Sequence, residues 1–102
     1  MITPVEIMDL AAENPAKLFW MLRHSLSLFE LTFAAEAVGM LSDSEAVRAA
    51  LMPLLGHSMS LVREGAIYGL ARHLNDSVMV VLRELAQSDP SPGVREAAKE
   101  VL

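Results

Sequence analysis

Val62-Arg63-Glu64-Gly65-Ala66 returns about 32 residues later as Val94-Arg95-Glu96-Ala97-Ala98. Outward from this pair the echo continues. His24-Ser25-Leu26-Ser27-Leu28 is matched by His57-Ser58-Met59-Ser60-Leu61, and Leu41-Ser42-Asp43-Ser44 by Leu74-Asn75-Asp76-Ser77, at a spacing of about 33 residues. A period in this range marks a solenoid, in which one small supersecondary unit is copied along the chain. No single unit buries its apolar face alone, so each stacks on the next and about three are needed for stability. In the second copy Val62, Ala66 and Leu70 recur at i, i+4 and i+8, one face of a helix. Gly65 and Gly69 flank that face, where a neighbouring helix can approach closely.

Capping chemistry between the echoes sets the helix boundaries. Thr3-Pro4-Val5-Glu6 joins an N-cap, a first-turn proline and a capping-box glutamate, so a helix is predicted over 4–13. Asn14-Pro15 ends it and starts a second, which closes at Arg23-His24, where cations suit the negative end of the helix dipole. Ser27-x-x-Glu30 opens a third over 28–41, and Ser42-x-x-Glu45 a fourth over 44–55 that Pro53 kinks near its end. Gly56 is expected to close the fourth in a left-handed turn, Ser60 to cap a fifth over 61–74, and Asn75-Asp76 to cap a sixth over 77–87. Asp89-Pro90-Ser91-Pro92-Gly93 makes a tight turn into a seventh over 92–102. No strand is needed, and the fold class is all-α.

Composition narrows the function. Hydrophobic residues make up 53% and aromatics 5%, a Leu-, Ala-, Met- and Val-rich mixture that favours helices within one domain spanning 1–102. No apolar run reaches the roughly 18 residues of a membrane span, and Met1-Ile2-Thr3-Pro4 lacks a basic secretory start. A cytoplasmic protein with no membrane partner is expected. Without cysteine there are no disulfides, thiolate metal sites or cysteine nucleophiles. A formal charge of −5, with Lys17 and Lys99 as the only lysines, runs against the basic footprint that nucleic acid requires.

Asp89, then Val94-Arg95 after four residues, then Ala98 after two more, resembles the second helix of HEAT repeats, particularly the short bacterial HEAT-like kind. Val62-Arg63 keeps the pair but has His57 in the aspartate's place, and the first copy keeps only the alanine-rich Ala34-Ala35-Glu36-Ala37-Val38-Gly39. The resemblance covers roughly residues 15–102. It implies a right-handed α-solenoid of about three helix pairs, near 15–41, 44–74 and 77–102, with helix 4–13 as an N-terminal cap. It also implies that the arginine ties neighbouring repeats through the turn aspartate, making Arg63, Asp89 and Arg95 a structural ladder.

In such solenoids the second helices line the concave surface. Glu36, Arg63, Glu64, Ile67, Tyr68 and Arg72 are accordingly the candidate protein-binding residues, with Leu31, Thr32 and Ala35, Ala71, and Arg95, Glu96, Lys99 and Glu100 on the same exposed row. Tyr68, the only tyrosine, is the natural anchor, although packing between second helices is the competing role.

Catalytic chemistry finds little support. His24 and His57 occupy one repeat position and lie a repeat apart, and no histidine pair has the i, i+4 spacing of a helical zinc site. No catalytic, metal-binding or cofactor-binding residue is expected. Glu6, Asp9 and Glu13 form an acidic stripe that either attracts a basic partner or solvates the end of the stack. Helix 28–41 is apolar nearly all round, so Phe29, Phe33 and Met40 need a cover: helix 4–13, a second copy in a homodimer, or a partner. The expected function is a non-enzymatic protein-interaction or scaffold module. The alternative is a fragment or subunit of a HEAT-like enzyme such as a phycobilin lyase-type protein.

Overall fold

The computed structural model describes residues 2–102. They form α1 (Pro4–Glu13), α2 (Pro15–His24), α3 (Leu28–Val38), α4 (Ser44–Leu51), a 3-10 turn (Met52–Gly56), α5 (Ser60–Leu70), α6 (Asp76–Ser88) and α7 (Pro92–Val101), with no strand among the described residues. The helix pairs α2/α3, α4/α5 and α6/α7 stack along a body of 36 × 25 × 20 Å. The second helices carry the stack, α3 packing on α5 and α5 on α7, while α1 packs on α3 and α2.

Short polar side chains at the helix starts satisfy N–H groups that the helices leave unpaired. Thr3 Oγ1 accepts from the Glu6 N–H at 3.2 Å, Asn14 Oδ1 from Lys17, Ser27 Oγ from Glu30, and Asn75 Oδ1 from Val78 at 2.9 Å. Two junctions differ from the reading of the sequence. Asp43, not Ser42, caps α4 by accepting from the Ala46 N–H, its carboxylate being the better acceptor beside a helix dipole. Ser60 is the first residue of α5, whose cap Met59 has no side-chain bond to give; the Met59 N–H instead donates to His57 Nδ1 at 3.0 Å.

Pro53 acts as expected. It has no N–H to continue the α-helical ladder, so the predicted helix 44–55 divides into α4 and the 3-10 turn. Gly56 does not enter the left-handed region: no described glycine has positive φ, because the tightened 3-10 turn leads into an extended His57 and needs no reversal. The helices predicted over 28–41 and 61–74 stop at Val38 and Leu70 and pass into turns.

The core runs through the whole stack, with Ile7, Leu18, Leu51, Ile67, Leu70 and Leu82 fully buried. Its tightest seam lies between α3 and α5. A Cβ placed on Gly65 would come within 2.6 Å of the Thr32 carbonyl oxygen, one on Gly69 would overlap the Ala35 carbonyl oxygen, and one on Gly39 would overlap the backbone of Gly69. The two helices touch backbone to backbone. α1 packs on α3, and Phe33 packs against the core, but Phe29 and Met40 stay exposed at 40% and 51%.

His73, to which the sequence assigned no role, is buried beside this seam. Its Nε2 lies 2.8 Å from the Gly39 carbonyl oxygen, which only accepts, so that nitrogen carries a proton, and Nδ1 shares a hydrogen bond with the Ser44 hydroxyl at 2.7 Å. Arg48 Nη1 donates to the His73 carbonyl at 3.1 Å. One imidazole thereby joins the ends of α3 and α5 to the start of α4.

Candidate interaction face on the second helices

Arg63 on α5 spans two repeats. Its Nη1 donates to the carbonyls of its own repeat's turn, His57 at 2.8 Å and Ser58 at 3.2 Å. Its Nε and Nη2 form a bidentate pair with Asp89 in the next turn, both at 2.9 Å. Burial acts to raise the Asp89 carboxyl, but the bonds from Arg63 and the Ser91 N–H, with the charges of Arg63 and Arg95, outweigh it and hold Asp89 below the usual aspartate range. The third ladder residue, Arg95, gives Nη1 to the Asp89 carbonyl at 2.6 Å.

The binding row predicted from the sequence needs correction. Ile67 is completely buried, and Leu31 and Ala35 are buried with it. One residue corresponds to about 100° around a helix. Ile67 shares the inward face with Leu70 at i+3, whereas the outward strip of α5 runs through Leu61, Glu64 and Tyr68. Arg63 is also withdrawn, its side chain 13% exposed and its guanidinium committed to the two turns. Arg72 is exposed beyond the end of α5.

What remains at the surface is a phenol among carboxylates. Tyr68 is 40% exposed and donates its hydroxyl proton to Glu100 Oε2 on α7 at 2.9 Å. That hydrogen bond, followed by burial and the charges of Glu100, Glu64 and Glu36, pushes the phenol above its ordinary range. Glu100 touches the ring's hydroxyl, while Glu64, whose carboxylate lies beside Gly93 at the start of α7, and Glu36 act on it through their charge. Glu36 is partly buried, and loss of hydration raises its carboxyl above the usual glutamate range. Among the described residues none of these three glutamates has an ion-pair partner; the face's one ion pair is the exposed Lys99–Glu96 contact at 3.5 Å. Glu100 belongs to the exposed row read from the sequence, and it is exposed on α7. The signal for it was the repeat itself, since positions 68 and 100 are one period apart.

Residues 16–102 match the family model for HEAT repeats. The chain belongs to the HEAT-repeat family. The match begins at α2, so α1 stands outside the three HEAT helix pairs as an additional N-terminal helix. No curated protein and no solved structure matches the chain.

Elsewhere on this HEAT-repeat stack, a groove of about 530 Å³ separates α2 from α4. Its walls are Phe19, Leu22, Leu54 and the alanines of α4, and Arg23 is its one ionisable side chain. Among the described residues no group of three His, Asp or Glu is arranged to hold a metal ion, and no helix is long and apolar enough to cross a membrane.

Proposed function

We propose that this HEAT-repeat protein is a non-enzymatic interaction module that receives a cationic segment of a protein partner on its second-helix face. The observation that carries the reading is the exposed Tyr68, hydrogen-bonded to Glu100 across α5 and α7, under the charges of Glu64 and Glu36, with none of the three glutamates in an ion pair among the described residues. A lysine or arginine arriving there gains charge-assisted hydrogen bonds and the face of an aromatic ring. The ring itself is already oriented by Glu100, so little side-chain freedom is lost on binding. The runner-up, an enzyme of the phycobilin lyase type, draws on the family resemblance and on the α2/α4 groove, whose lining offers no acid–base pair.

The test compares immobilised wild-type protein with a Glu64→Gln/Glu100→Gln variant of matched thermal midpoint, each exposed to lysate from the native cell. Proteins retained by the wild type through basic segments, and released from the variant, support the reading. Retention that is indifferent to these two carboxylates rejects it.

A further inference from the structure

The second helices α3 and α5 meet backbone to backbone, whereas the first helices α2 and α4 leave the groove of about 530 Å³ between them. Phe19 and Leu22 of α2 face Pro53 and Leu54 beyond the end of α4, and Arg23 is the one ionisable side chain in the lining. The gap between α4 and α6 is smaller, about 330 Å³, and its cation is already engaged: Arg48 gives Nη1 to the His73 carbonyl at 3.1 Å. Arg23 is exposed and belongs to no ion pair among the described residues. The charge of the walls follows from the sequence. The chain has 13 acidic residues, yet none falls in 14–29 or 46–63, its two longest acid-free stretches, and every residue lining the groove comes from these two. A protein of formal charge −5 thus lines this recess without a single carboxylate.

We propose that the α2/α4 groove binds a free long-chain aliphatic carboxylate, its chain along Phe19, Leu22 and Leu54 and its head paired with Arg23. The volume falls in the range of about 300–1,000 Å³ usual for small-molecule sites. Apart from Arg23 no lining side chain can make a hydrogen bond, so a ligand with polar groups along its length would lose hydration there without replacement. An apolar chain loses none, and its burial is favourable. At the charged end a planar guanidinium receives a carboxylate through two parallel hydrogen bonds. An acidic amphipathic peptide would also meet the cation, but it would spread several carboxylates along a wall that answers only one. The groove lies on the first helices, apart from the Tyr68 surface, and the proposal stands or falls without that reading.

The test titrates the full chain with cis-parinaric acid, a fluorescent long-chain carboxylate, and with its neutral methyl ester, both below the concentration at which they form micelles. Wild-type protein is compared with Arg23→Gln, which removes the cation, and with Ala50→Phe, which fills the groove from the partly exposed face of α4. Thermal midpoints establish that each variant is folded. The acid is expected to bind the wild type saturably and to bind Arg23→Gln about fivefold more weakly, the upper range for one exposed charge pair. The ester should bind both proteins alike and more weakly than the acid binds the wild type, and Ala50→Phe should bind neither probe. Absence of saturable binding overturns the proposal, as does an affinity for the acid that Arg23→Gln leaves unchanged. Undiminished binding to a folded Ala50→Phe protein does the same. An acidic amphipathic peptide that binds through Arg23 where parinarate does not would give the groove to a protein ligand and overturn it as well.

Discussion

Gly69→Ala sets two effects of opposite sign against each other. In a helix interior alanine is favoured over glycine by about 1 kcal/mol, so propensity alone predicts a more stable protein. At position 69, however, the new methyl would overlap the Ala35 carbonyl oxygen and lie 2.6 Å from Leu51 Cδ1. The Leu51 side chain can turn aside, but the Ala35 oxygen is backbone and moves only if α3 and α5 separate. Overpacking of this kind costs about 1–3 kcal/mol, and a backbone obstacle belongs at the upper end. The expected net loss is therefore about 2 kcal/mol, or roughly 10 °C in thermal midpoint for a domain of this size. Gly56→Ala is the control: nothing lies within 4 Å of its added Cβ and its φ is not positive, so stability should hold or rise by about 0.5 kcal/mol. Circular dichroism melts with urea titrations measure both. A Gly69→Ala protein as stable as wild type would refute the backbone contact between α3 and α5.

Other expectations follow from the buried polar groups. Asp89 binds its proton less tightly folded than unfolded, so the stability it adds is present above the ordinary aspartate range near pH 4 and is lost as pH falls through the lower, folded value. Asp89→Asn should cost about 3 kcal/mol at pH 7 by leaving Arg63 unpaired, with the gap to wild type narrowing in urea titrations below about pH 4. Glu36 has the opposite sign: its raised carboxyl makes ionisation unfavourable to the fold, so Glu36→Gln should melt slightly above wild type at pH 7 and match it at acidic pH. His73→Ala orphans the Gly39 carbonyl and the Ser44 hydroxyl and opens a cavity, and should cost about 2–4 kcal/mol in the same titrations.

The repeat and the helix starts were legible because each is written locally, a capping side chain and its N–H partner being three residues apart. The arginine ladder, whose partners are 26 residues apart, came from the family resemblance. The close approach of α3 and α5 was foreseen from Gly65 and Gly69, since glycine within an otherwise strong helix calls for a neighbour. The exposed row was not foreseen correctly. Rotation of a helix about its axis is set by everything packed against it, and a misreading by one residue put Ile67, Leu31 and Ala35 at the surface. His73 escaped notice because its partners, Ser44 and Gly39, are 29 and 34 residues away and lie outside any local pattern.

The face around Tyr68 is tested most directly by fluorescence anisotropy of a labelled lysine- and arginine-rich peptide, titrated with wild-type protein and with the Glu64→Gln/Glu100→Gln variant at several salt concentrations. The account predicts that wild-type binding weakens as salt rises, and that the variant binds at least about tenfold more weakly, the equivalent of roughly 1.4 kcal/mol, at an unchanged thermal midpoint. Equal affinity for the two proteins, or no wild-type binding even at low salt, would contradict it.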